Sequence, residues 1–234
     1  MPVALITGGS KGLGRALAAA LLDEGWSVVI DGRDPDAIAQ AEGVLGPLAR
    51  AGAKLVTVPG DVIDEAHRRS LVEAVQVLGG LDLLVNNAST LGLSPMPWLA
   101  DYPLDAFRRA YEVNVVAPLA LTQAALGLLR QSDDPRIINV TSDASVEAYE
   151  GWGGYGSSKA ALDHLSAVLA VEEPGVRVWA IDPGDMRTQM HQDAFAGEDI
   201  SDRPMPEEVA PSIVELIGGP LPSGRHRASE VSAR

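Results

Sequence analysis

Tyr155 and Lys159 stand four residues apart, and Ser142 lies thirteen residues upstream of the tyrosine. On a helix that spacing puts both side chains on one face, so an ammonium can sit close to a phenol. A nearby positive charge favours the phenolate and lowers a pKa that starts at about 10. Such a tyrosine can exchange a proton with a substrate oxygen near neutral pH. Ser142 offers a hydroxyl able to hold the same oxygen. The glycine-rich stretch TGGSKGLG at 7–14 offers a cradle for a dinucleotide. Proton exchange beside such a molecule points to alcohol–carbonyl interconversion.

These residues need elements to carry them. Apolar or β-branched runs at 3–7, 27–31, 54–58, 82–87, 136–142 and 176–182 predict six strands, dense enough in apolar residues to be buried on both faces. Between them the pattern predicts helices near 13–24, 36–51, 64–78, 103–130 and 152–171, with Pro118 a possible kink in the fourth. A short helix at 206–217 opens with Pro206 and Glu207. LPSGRHRASE near the end is a weak candidate for a seventh strand. This β-α alternation predicts an α/β protein with a doubly wound parallel sheet of six to seven strands and helices on both faces. No linker or repeat divides the chain, so its 234 residues read as one domain over 1–234.

Composition limits the choices of partner. The formal net charge is −14, which repels nucleic-acid backbones. No continuous apolar run approaches the ~18 residues of a membrane helix, so no membrane role is expected. The start MPVALITGG lacks a charged region followed by a long apolar core, and a cytoplasmic protein is expected. There are no cysteines, which excludes disulfides, thiolate nucleophiles and cysteine-bound metals. His67, His164, His191 and His226 are scattered without metal-ligand spacing, so no metal site is expected.

The glycine turn follows the first strand and opens the first helix. Its spacing is G-x-x-x-G-x-G, not G-x-G-x-x-G, and Lys11 lacks the following Ser or Thr of a phosphate loop of the nucleoside-triphosphate type. At the end of the second strand stand Asp31-Gly32-Arg33-Asp34. An acid there would bind the ribose hydroxyls of NAD, whereas a base would pair with the 2′-phosphate of NADP. Lys11 and Arg33 place two cations at this corner against one ambiguous Asp31, which favours NADP(H) and leaves NAD(H) possible.

Taken together, these residues resemble the short-chain dehydrogenase/reductase family in its compact single-domain form. The likeness covers nearly the whole chain: T-G-x-x-x-G-x-G at 7–14, Asp61-Val62, Asn86-Asn87-Ala88-Ser89, Asn114 in YEVNVVAPL, Ser142, Tyr155 to Lys159, and Pro183-Gly184. The resemblance implies a Rossmann-type fold binding the cofactor through Gly8, Ser10, Lys11, Gly12, Leu13, Gly14, Arg33, Asp61, Val62, Asn87, Ala88, Tyr155, Lys159, Pro183, Gly184 and Thr188. It implies hydride transfer between the nicotinamide C4 and a small carbonyl or alcohol substrate. Tyr155 would be the acid/base, Lys159 would lower its pKa and bind the nicotinamide ribose, Ser142 would hold the substrate oxygen, and Asn114 would hold a water in a proton relay. Asp61-Val62 would hold the adenine, and Thr188 would meet the carboxamide.

The pattern departs from the family at Ser89, where the family has glycine; some crowding of the cofactor, without loss of binding, is expected. Relatives form dimers or tetramers through the helices here at 103–130 and 152–171, so a homodimer or homotetramer is expected, although the short end GRHRASEVSAR departs from theirs. The segment 185–204, with Met186, Met190, His191 and Phe195, reads as a lid over the substrate. Tyr149, Trp152 and Gly153 flank Tyr155 and are candidates to line a pocket, while Trp98 and His164 read as packing or surface residues. The competing reading is a non-catalytic dinucleotide-binding sensor or scaffold on the same fold; a pure binder would have no use for Asn114, Ser142, Tyr155 and Lys159 together.

Overall fold

The structure, a computed structural model, describes residues 1–231. The last three residues, part of the expected domain, lie outside the described residues. Seven strands form one all-parallel sheet in the order β3-β2-β1-β4-β5-β6-β7. They are β1 Val3–Ile6, β2 Ser27–Gly32, β3 Leu55–Pro59, β4 Leu83–Asn86, β5 Arg136–Val140, β6 Arg177–Asp182 and β7 Gly224–Arg227. The helices are α1 Gly12–Asp23, α2 Pro35–Leu45, α3 Glu65–Leu78, α4 Leu104–Tyr111, α5 Ala117–Leu129, α6 Gly153–Glu172, α7 Gln189–Ala194, α8 Pro206–Gly218 and α9 Ala228–Val231. The six strongly apolar strand runs all form strands, and the weak seventh closes the sheet edge as β7.

Strand residues alternate between two cores because successive side chains point to opposite faces. Ala4, Ile6, Val28, Ile30, Ile138 and Trp179 pack with α1 and α8. Val3, Leu5, Val29, Leu84, Ile137 and Val178 pack with α3 and α5 on the other face. Both faces being covered, β1, β2 and β4 are wholly buried, as their uninterrupted apolar runs require. The edge strand β3 is only half-buried along most of its length.

Local signals set the helix ends. Asp34 caps α2 by accepting from the Asp36 and Ala37 amides at 3.0 and 3.3 Å, with Pro35 in the first turn. That helix ends at Leu45 and not at 51, because Gly46-Pro47 turns the chain into a short 3₁₀ turn. The expected helix 103–130 is three pieces: α4, a π-helical turn at Glu112–Val116, and α5. Pro118 is accommodated in the first turn of α5, where a missing N–H costs little. Taken together, 104–129 is long and apolar enough to span a bilayer by length and composition alone, yet half of that window is buried within this fold. The segment 185–204 is not structureless, since α7 lies within it.

Reversal of strand order between β1 and β4 opens a crevice at the carboxyl ends of the strands, the usual ligand position in open α/β sheets.

Candidate active site

A cleft of about 480 Å³ occupies this crevice. One end is made of backbone and exposed cations. Gly8 (φ 66°) and Gly12 (φ 56°) adopt conformations that L side chains rarely take, and a Cβ on Gly14 would lie 2.6 Å from the Gly8 carbonyl oxygen. The turn is thereby folded against the start of α1, whose N-terminal amides favour an anion. Asp31 fixes it from beneath. Its Oδ1 accepts the Gly8 amide at 2.6 Å, and its Oδ2 meets His67 Nε2 at 2.9 Å. Thr7 ties the turn to β4: its Oγ1 accepts the amides of Asn87 and Ala88, both at 3.0 Å, while Asn87 Nδ2 donates to the Thr7 carbonyl at 2.8 Å.

The expected cofactor residues gather here with different capacities. Gly8, Ser10, Lys11, Gly12, Leu13, Arg33, Asp61, Val62, Asn87 and Ala88 border the cleft, whereas Gly14 packs behind them against Gly8 and Asn87. The Leu13 side chain belongs to the core, so only its backbone faces a ligand. Asn87 spends its side chain on the turn. Asp61 Oδ2 pairs with Arg109 at 2.7 Å. Lys11 and Arg33 are exposed and have no ion-pair partner among the described residues. The open cleft, the positive-φ glycines and these two cations fit a dinucleotide with a charged ribose.

The other end is built from buried side chains. Gly156 lets α6 approach the turn after β5, where a Cβ would sit 2.6 Å from the Ala144 carbonyl oxygen. That contact brings Tyr155 beside Ser142. Lys159 is 2 % exposed, its Nζ donating to the Val140 carbonyl at 2.8 Å and lying 5.6 Å from the Tyr155 ring centre. Only one of three ammonium donors is used there. Burial pushes the Lys159 pKa down to about 8. Burial also pushes the Tyr155 phenol up, while the Ser142 and Ser89 hydroxyls act the other way and Asp143 and Asp182 add to the rise. The expected lowering by Lys159 is not found: burial of the phenol dominates, and the groups that act against it are the Ser142 and Ser89 hydroxyls.

Ser142 lies at the end of β5, where its Oγ donates to Asp143 Oδ1 at 2.9 Å and accepts the Ala144 amide at 3.2 Å. Asn114 falls in the π turn, a frequent location for functional residues. Its side chain is fully occupied. Oδ1 accepts from Ser89 Oγ (3.1 Å) and the Thr90 amide (2.9 Å), and Nδ2 donates to the Thr90 carbonyl and to Ser158 Oγ, both at 2.9 Å. No side-chain position remains for a water, so any water assigned to Asn114 falls to its backbone. Thr188 borders the cleft as well, and its Oγ1 caps α7 by accepting the His191 amide at 3.1 Å, a role that does not use its O–H donor. Pro183 and Gly184 border the cleft, the Gly184 amide donating to Asp182 Oδ1 at 3.0 Å.

Three features escaped the sequence reading. Asp31 and His67, far apart in the chain, become a buried pair under the glycine turn. Ser89, noted only for crowding, bonds Asn114. Arg225 on β7 reaches the Ser142 carbonyl (3.0 Å), Asp182 Oδ2 (3.1 Å) and, from α6, Asp163 Oδ2 (3.1 Å). One guanidinium thus fastens the β5 end, the β6 end and the helix of Tyr155. The weak strand pattern around Arg225 carried no signal of this.

A glycine-turn cleft at the switch point of a parallel sheet, with a Tyr–Lys pair at its far end, defines a dinucleotide-dependent oxidoreductase of the Rossmann type. The family model for short chain dehydrogenases matches residues 2–199, and the chain belongs to that family. It is 36% identical over 237 residues to the rhamnolipids biosynthesis 3-oxoacyl-[acyl-carrier-protein] reductase of Pseudomonas aeruginosa, covering 92% of this chain and 89% of that one. It is 35% identical over 200 residues to sepiapterin reductase of Mus musculus, covering 81% and 76%. A short chain dehydrogenase from Shigella flexneri complexed with NADP superposes with a TM-score of 0.90 at 27% identity, over 97% of both chains.

Proposed function

We propose that this oxidoreductase transfers a hydride between NADP(H) and a carbonyl or secondary-alcohol substrate, as a carbonyl reductase or alcohol dehydrogenase. The observation that carries the reading is the meeting of Tyr155, Lys159 and Ser142 at one end of a cleft whose other end holds the glycine turn and two unpaired cations. When bound, the dinucleotide supplies the hydride in reduction and accepts it in oxidation.

Tyr155 gives its proton to the carbonyl oxygen during reduction. Its raised pKa keeps that proton in place at neutral pH. Lys159, with a pKa of about 8, is largely an ammonium at pH 7 and supplies positive charge as the phenolate develops. Its two unused donors are free for the ribose of the nicotinamide. Ser142 turns its hydroxyl from Asp143 to the substrate oxygen. Asn114 holds the loop at Thr90 and the helix at Ser158, and its backbone in the π turn is the place for a relay water.

NADP(H) over NAD(H) is supported by Arg33 and Lys11, by the full use of Asp31 beneath the turn, and by the NADP found in the Shigella relative. Exposed Val116, Leu119, Val168 and Val171 on or beside α5 and α6 support self-association through those helices; a monomeric mass by light scattering would refute it. The activity is tested by NADPH absorbance loss over a panel of aldehydes, ketones and quinones. Turnover that vanishes in Tyr155→Phe, with NADPH binding kept, is expected; turnover retained in that variant overturns the proposal.

A further inference from the structure

The reactive end of the cleft is aromatic, and it carries Asp143, a carboxylate without a cationic partner among the described residues. In a chain that is only 4% aromatic, Trp152 and Tyr155 border the cleft here, and Phe195 and Tyr149 pack against Trp152. The Trp152 ring lies 5.9 Å from Tyr155 at 72°, 5.6 Å from Phe195 and 6.0 Å from Tyr149. Leu91 and Met190 join the same apolar cluster around Tyr155. Trp152 borders the cleft directly, so the wall next to the phenol is a ring system. Offset and edge-on ring contacts are favoured by the ring quadrupole beyond simple burial.

Charge points the same way. Asp143 borders the cleft beside Ser142 and accepts from the hydroxyls of Ser142 and Tyr149, both at 2.9 Å. It has no cationic partner among the described residues. Of the cations nearby, Arg203 lies 3.5 Å from Asp185 and Arg225 and Arg227 face Asp182, while Arg187 borders the cleft and donates to the neutral Ser201 carbonyl. Lys159 donates to the neutral Val140 carbonyl and keeps its positive charge for the Tyr155 phenol. Lys11 and Arg33, two further cations without an ion-pair partner among the described residues, are at the glycine-turn end. An anionic group close to a substrate carbonyl would meet the Asp143 carboxylate at short range with little water between, a repulsion able to cost about a hundredfold in affinity.

Resting on the reductase reading above, we infer that the substrate is an aromatic carbonyl compound without negative charge near the reacting carbon, held against Trp152 and screened by Asp143. Aryl ketones, aryl aldehydes and neutral aryl α-keto esters satisfy this chemistry; α-keto acids do not.

The test compares three α-keto substrates with NADPH: methyl benzoylformate, benzoylformate and methyl pyruvate. Wild type is expected to show kcat/KM for the aryl ester about a hundredfold above its acid and about tenfold above the alkyl ester. Asp143→Asn is expected to narrow the ester-to-acid ratio about tenfold, and Trp152→Leu to abolish the aryl-to-alkyl ratio while Trp152→Phe keeps it. NADPH affinity and melting temperature, measured for each variant, show that the fold is intact. Equal use of acid and ester, or ratios unmoved in the variants, overturns the inference. Reduction of methyl pyruvate alone overturns it and leaves the reductase reading standing. Reduction of none of the three, nor of any carbonyl in the wider panel, overturns both.

Discussion

The two ends of the cleft solve different physical problems. The glycine-turn end has to receive phosphate charge, and it does so with backbone amides and with cations left in water. In the proposed reaction the tyrosine end moves a proton, and its side chains are withdrawn from water: Lys159 at 2 % exposure, Tyr155 at 8 % and Asn114 at 0 %. Exposed charges are screened, so their attraction for a phosphate depends on ionic strength. Buried polar groups shift their pKa values and must be fully partnered. The first end should therefore respond to salt and to single charges, and the second to pH and to the loss of single hydrogen bonds.

The sharpest way to break this contrast is Asn114→Ala. It unpairs Thr90, Ser89 and Ser158 inside a buried network, and kcat is expected to fall by about 10²–10³. NADPH affinity, measured by fluorescence titration, should stay within about threefold because the glycine turn is untouched. An equal loss in both quantities would mean that the two ends are not separable.

Arg33→Ala probes the opposite end. NADPH binding is expected to weaken about 10- to 100-fold, as for a lost charge-assisted hydrogen bond, with NADH affinity nearly unchanged. The difference should shrink as salt is raised. Equal effects on both dinucleotides would remove the case for the 2′-phosphate at this corner.

Lys159 gives the tyrosine end its pH signature. Its pKa is lowered from 10.5 to about 8, so between these values the unfolded chain binds the proton and the folded chain does not. Stability should accordingly rise with pH across that window and be flat for this group below 8. Between pH 7 and pH 9.5 the gain is on the order of 2 kcal/mol. Urea melts of wild type against Lys159→Met isolate it, because the variant should lack this slope.

Ser89→Gly should have the smallest effect. It restores the glycine expected by resemblance and removes one hydroxyl from Asn114, whose other three bonds remain. NADPH affinity should change by less than about threefold and kcat by less than about tenfold. A larger fall in kcat would make Ser89 a working part of the tyrosine end.

How legible these parts were depends on their physical basis. The strands were readable because burial on two faces demands long apolar runs, as in VALI and SVVID. The glycine turn was readable because positive φ and close approach leave few alternatives to glycine. Tyr155 and Lys159 were readable because helical spacing alone puts them on one face. Thr188 had a second role that the spacing did not show: its hydroxyl also caps α7, and only the position of that helix reveals it. The break at Gly46-Pro47 and the π turn at 112–116 were blurred by otherwise continuous helical patterns.

The chain by itself determined the parallel sheet, the cleft-facing glycines and the set of groups able to move a proton, since these follow from local periodicity, backbone freedom and residue chemistry. Tertiary structure decided which way the pKa of Tyr155 moves, because desolvation is a property of the surroundings and not of spacing. It also decided the partners of Asn114, the Asp31–His67 support under the glycine turn and the reach of Arg225 to the Ser142 carbonyl after β5. Each of these joins residues from distant elements, and no pattern along the sequence encodes a distance across the sheet.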